Sequence, residues 1–161
     1  SGSQYVIVGH SENRFRGDND SIINKKIISS LRQGLKVIFC IGESLNEKKK
    51  NKTNLVIKKQ ILKGLKNIKN TKNIFFAYEP IWSIGTGIIP KQEDLSTQIK
   101  YILDLLKKKF GNKNPVILYG GSVNSKNIII LKQIRYIKGF LIGGSSQNSN
   151  KFIDIIKKTI I

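Results

Sequence analysis

His10 and Glu79 are the residues of this chain whose types and settings best suit proton transfer. His10 follows the apolar run Tyr5-Val6-Ile7-Val8-Gly9, and Glu79 follows Ile74-Phe75-Phe76-Ala77-Tyr78. Each titratable side chain therefore sits where a β-branched or aromatic strand gives way to a loop, the end of a parallel sheet at which catalytic groups gather. A carboxylate there can act as a base. A neutral imidazole can donate a hydrogen bond to a substrate carbonyl oxygen while the carboxylate removes a proton from the adjacent carbon, a division of labour that needs no metal. Taken singly, each has a plainer role, the histidine as a hydrogen-bonded structural residue and the glutamate as a cap or a lysine partner. Their matching positions favour the catalytic pairing.

Two glycine pairs supply a third element. Gly120-Gly121-Ser122 and Gly143-Gly144-Ser145 follow the last two apolar runs, and backbone N–H groups freed of side chains can converge on a phosphate, with Ser122 adding a hydroxyl. As tight turns leading out of strands they would look the same, so their place after the last strands carries the argument. The segment Pro80-Ile81-Trp82-Ser83-Ile84-Gly85-Thr86-Gly87 has a stiff entry and a permissive exit, the composition of a lid that closes as a rigid flap beside Glu79.

Short β-branched runs alternating with longer amphipathic ones position these residues, the pattern of βα units and a parallel sheet. The strands read as Tyr5 to Val8, Lys36 to Ile41, Ile74 to Tyr78, Val116 to Tyr119 and Phe140 to Ile142. Helical spacing covers Ser21 to Gln33, with Asp20 as cap and Gly34 as terminator, then Asn54 to Ile68, Gln92 to Phe110, a shorter Lys126 to Ile134, and Asn150 to Ile161 with Phe152, Ile153, Ile156 and Ile160 on one side. A doubly wound sheet would be announced by a glycine-rich fingerprint after its first strand, and Gly9-His10-Ser11-Glu12 is not one. Residues 1–161 read as a single domain.

The formal charge of +19 would suggest a nucleic-acid partner, but the excess is lysine accompanied by isoleucine and asparagine, a triad that A/T-rich codons explain at least as well as selection for a phosphate-binding surface. The run Lys48-Lys49-Lys50-Asn51-Lys52 lacks the arginine and aromatics of a nucleic-acid surface and reads as a solvated loop at a helix start. Asn51-Lys52-Thr53 is a chance glycosylation match in the same stretch. Cys40, the one cysteine, leaves too few ligands for a cysteine metal site and lies in an apolar run as a packing residue. No stretch reaches the roughly 20 apolar residues of a membrane helix, so a cytoplasmic protein is expected. The chain opens on a strand and contains no methionine, so sequence upstream of Ser1 is expected.

Together the segments Tyr5 to Glu12, Cys40-Ile41-Gly42-Glu43, Ala77 to Gly87, Tyr119 to Asn124 and Gly139 to Gly144 resemble the triosephosphate isomerase family in order and spacing. The resemblance implies strands four to eight of a TIM (β/α)8 barrel, an α/β fold here incomplete and lacking the N-terminal three βα units. It implies interconversion of dihydroxyacetone phosphate and D-glyceraldehyde 3-phosphate through an enediolate, a glycolytic step that uses no cofactor. Glu79 would be the base and His10 the electrophile, the division of labour established for that family. Glu12 would support them, and Gly85, Ser122, Gly143 and Gly144 would hold the substrate phosphate. The resemblance also implies a homodimer.

Several family features are absent. There is no Asn-x-Lys strand end and no subunit-clasping loop, Asn13 stands where the family commonly has arginine, and Ile88 where a lysine often follows the lid. A complete barrel typically needs roughly 250 residues, so these 161 alone are expected to be inactive, with open sheet edges and partly uncovered apolar faces. The competing reading is a non-catalytic truncated-barrel scaffold contacting RNA or another anionic partner through its charge.

Overall fold

The protein is described by a computed structural model covering residues 2–160. Five strands form one parallel sheet: β1 (Tyr5–Val8), β2 (Lys36–Ile41), β3 (Ile74–Tyr78), β4 (Ile117–Tyr119) and β5 (Ile137–Phe140). Their spatial order is their chain order, and each ladder is parallel. An order that never reverses distinguishes the arc of a barrel from a doubly wound sheet. β1 and β5 are the two edges.

The helices are α1 (Ser11–Phe15), α2 (Asp20–Arg32), α3 (Leu45–Lys49), α4 (Thr53–Gly64), α5 (Gln92–Phe110), α6 (Ile128–Leu131) and α7 (Ser149–Ile160). Strand alternation sorts the side chains. Val37, Phe39 and Ile41 of β2, with Phe76 and Tyr78 of β3, are buried in one core with Ile23 and Ile27 of α2, Ile57 and Ile61 of α4, and Leu95, Ile99, Ile102 and Leu106 of α5. Tyr5 and Ile7 of β1 point to the other face and are 42% and 45% exposed, the uncovered apolar surface expected of an open arc. Tyr5 meets Phe75 edge to face there, ring centroids 5.5 Å apart.

Several expectations need correction. Asn19, not Asp20, caps α2, its side chain accepting from the Ser21 and Ile22 amides, while Asp20 pairs with Arg14 at 2.9 Å. α4 stops at Gly64 and α6 spans only Ile128–Leu131. The fifth strand is Ile137–Phe140 rather than Phe140 to Ile142, because pairing with β4 joins Ile117 to Ile137 and Tyr119 to Phe140 around a bulge. Lys48 is not in a solvated helix-start loop: it lies in the last turn of α3, a helix begun by a Ser44/Glu47 capping box, and its ammonium sits over the Trp82 ring. In α7 the buried residue is Ile155, and Ile153, Ile156 and Ile160 remain exposed. α5 runs from Gln92 to Phe110 as expected, and Gly111 closes it at φ 60.

Candidate active site

The two residues expected to form a proton-transfer pair meet. Nε2 of His10 lies 3.7 Å from Oε1 of Glu79 across the end of β2. The Glu12 amide donates to Nδ1 of His10 at 3.4 Å, so the neutral ring carries its hydrogen on Nε2, the nitrogen that faces Glu79. Glu12 is exposed, and its backbone rather than its carboxylate makes this contact.

Glu79 has a side chain only 4% exposed. Burial pushes its carboxyl up from 4.5 to about 7, against the opposing pull of the Cys40 thiol hydrogen bond and the Arg14 charge. Cys40 is raised in turn by burial and by the adjacent carboxylate. The fit around this carboxylate is close: a Cβ at Gly120 would stand 2.7 Å from Cγ of Glu79.

Both residues open onto a cavity of about 390 Å³, with Ile84 and Gly85 from the lid on another side and the Gly120–Asn124 and Leu141–Ser145 loops opposite. The amides of Gly85, Gly143 and Gly144 have no backbone acceptor among the described residues. Ser122 is engaged by the lid, its hydroxyl oxygen accepting from the Gly87 amide at 3.1 Å and its own amide donating to Oγ of Ser83 at 3.2 Å. All the expected phosphate-binding residues therefore border one space or its lid.

The lid itself is ordered by its sequence. Ile81–Ser83 form a single 3-10 turn after Pro80, the Thr86 hydroxyl donates to the Ser83 carbonyl at 3.0 Å, and Gly85 and Gly87 take φ of 72 and 79, values favouring glycine. Glu43 grips its entry. The carboxylate accepts from Trp82 Nε1 at 2.9 Å and from Tyr78 Oη at 3.1 Å, its carbonyl accepts from the Ile81 amide at 3.0 Å, and Lys48 caps the indole at 3.8 Å.

Sequence reasoning left Glu43 without a role, although it lay in a quoted motif after the second strand, and it missed Arg14 and Gln60 altogether. Arg14 donates to the carbonyls of Gly9 at 2.8 Å and Cys40 at 3.3 Å, pinning the ends of β1 and β2 together. Gln60 holds Gly42 through both its amide and carbonyl at 2.9 Å each. Cys40 packs in the core as expected, and its thiol also acts to lower the Glu79 carboxyl. Among the described residues no three His, Cys, Asp or Glu side chains group as a metal site, and no helix is long and apolar enough to cross a membrane.

A family model described as triosephosphate isomerase matches residues 1–159. The chain is 45% identical over 159 residues to the triosephosphate isomerase of Thermodesulfovibrio yellowstonii, covering 97% of this chain and 65% of that protein. It is 42% identical over 159 residues to the triosephosphate isomerase of Saccharomyces cerevisiae, covering 96% of this chain and 64% of that protein. The chain spans about 65% of the length of these curated relatives. With one family description extending from the first strand into the last helix, the chain belongs to the triosephosphate isomerase family.

Proposed function

We propose that these residues form the C-terminal, single-domain share of a triosephosphate isomerase that interconverts dihydroxyacetone phosphate and D-glyceraldehyde 3-phosphate, in the cytoplasm and as a homodimer. Glu79 removes a proton from one carbon of the substrate and returns it to its neighbour. His10 Nε2–H donates to the oxygens of the enediolate that forms between the two transfers. The amides of Gly85, Gly143 and Gly144 and the Ser122 hydroxyl hold the phosphate. The observation that carries this reading is a buried carboxylate 3.7 Å from an imidazole nitrogen, both facing a cavity bordered by unbonded glycine amides. A carboxyl raised to about 7 is a stronger base than an ordinary glutamate while still ionised in a good fraction of molecules near neutral pH.

Turnover of triose phosphate in a coupled dehydrogenase assay tests it. A complete enzyme carrying this sequence turns over and loses activity on Glu79→Gln, whereas the 161 residues alone are inactive without an Asn-x-Lys strand end. Appreciable turnover by the isolated chain refutes the requirement for further barrel units. The scaffold reading rests on charge alone, and salt-sensitive RNA binding together with an inert complete enzyme would establish it instead.

A further inference from the structure

We propose that Ser83 is a latch that holds the lid against the phosphate-binding loop, and so sets how strongly the site retains a phosphate-bearing ligand. The proposal deepens the function proposed above and rests on it for the identity of the ligand.

Ser83 is 0% exposed, and its hydroxyl meets three polar groups. It lies 2.6 Å from the Ile88 carbonyl, 3.1 Å from the Tyr119 hydroxyl and 3.2 Å from the Ser122 amide nitrogen. A serine hydroxyl has one hydrogen and two lone pairs. The hydrogen goes to the Ile88 carbonyl, which can only accept, so the lone pairs receive the Ser122 N–H and the Tyr119 O–H. Every bonding position of the oxygen is used.

These bonds do two different things. The one to Ile88 ties the first half of the lid to the residue just past Gly87, closing the segment into a flap that moves as a unit. The other two cross from the lid to β4 and to the loop after it. Together with the Gly87 amide on Oγ of Ser122, they engage the amide and the hydroxyl of Ser122 from the lid side. Lifting the lid breaks all three crossing bonds. A ligand held by Gly85 together with Gly143 and Gly144 requires the lid to be down, so its apparent dissociation constant rises as the lid-down fraction falls. Proton transfer within the closed site depends on Glu79 and His10 and is not reached by Ser83. An alanine at this position keeps the backbone and removes only the oxygen.

The test uses a complete enzyme carrying this sequence, with Ser83→Ala as the variant and 2-phosphoglycolate as the probe. Expected is a rise of about 5- to 30-fold in both the 2-phosphoglycolate dissociation constant and KM, with kcat unchanged or higher. The peptide spanning residues 119–124 exchanges its amide hydrogens faster than in the parent protein, and peptides from β2 do not. Tyr119→Phe, which preserves the ring, gives a smaller effect of the same kind, and the double variant falls short of the product of the two. Unchanged exchange in residues 119–124 overturns the latch, as does a fall in kcat with KM unchanged, because either places Ser83 outside the lid equilibrium. If the parent protein neither turns over triose phosphate nor binds 2-phosphoglycolate, the functional reading fails, while amide exchange still decides the latch.

Discussion

Replacing Glu79 by glutamine removes a buried ionisation while preserving shape, and it should reveal that the carboxylate is held at a cost. The carboxyl is raised from 4.5 to about 7, first by burial. Each tenfold change in proton affinity corresponds to about 1.4 kcal/mol, so ionised Glu79 costs the folded protein about 3 kcal/mol relative to the unfolded chain. An acid whose folded value is raised contributes its full stability below the unfolded value, near 4.5, and that contribution is lost as the pH climbs through about 7. The parent protein therefore weakens against Glu79→Gln by about 3 kcal/mol between pH 4.5 and pH 8, with the steepest change inside that interval. Urea unfolding of both proteins at half-unit steps of pH gives the difference directly, and groups common to the two cancel. Repeating the pair in a His10→Gln background removes the imidazole 3.7 Å away. A difference that stays flat with pH would show that Glu79 is not desolvated, and the account of how it becomes a base would fall with it.

The Cys40 thiol lowers the Glu79 value, so in a complete enzyme carrying this sequence Cys40→Ala should move the acidic limb of the kcat/KM profile to higher pH, and Cys40→Ser, which keeps a donor, should move it less. Arg14→Ala severs bonds to two strand-end carbonyls and leaves Asp20 unpaired, and should destabilise the protein by about 3 kcal/mol in chemical unfolding. In a complete enzyme carrying this sequence, Gly120→Ala presses a methyl against Cγ of Glu79, at 2.7 Å, and should lower kcat about 10²-fold in steady-state assays while leaving the far-ultraviolet spectrum unchanged.

What could be read from the chain in advance follows from the range of each interaction. Strands β1, β2 and β3 fall where their apolar runs lie, because those runs carry the period and end at glycine or a charged residue. The positions of His10 and Glu79 were legible for the same reason, Glu79 directly after its strand and His10 after the glycine that ends its own. β5 was misplaced because Phe140-Leu141-Ile142 is the most apolar stretch nearby, whereas the strand is fixed by partners in β4 across a bulge. Arg14, Gln60 and Glu43 act over separations of 26, 18 and 39 residues, and their types give no local clue, since an arginine, a glutamine and a glutamate are ordinary surface residues until folding brings a carbonyl or an indole beside them. Lys48 reads from its neighbours as one of a solvated run, yet the tertiary fold sets its ammonium over Trp82, which lies beyond β3.

Because spatial order follows chain order throughout the sheet, each unit is hydrogen bonded only to the one before and the one after it. Dividing this open arc between neighbouring units parts one strand ladder, and no strand has to be threaded between two others to restore it. The two edges of the arc, β1 and β5, each present a row of backbone groups to which a further strand would pair without disturbing the three between them.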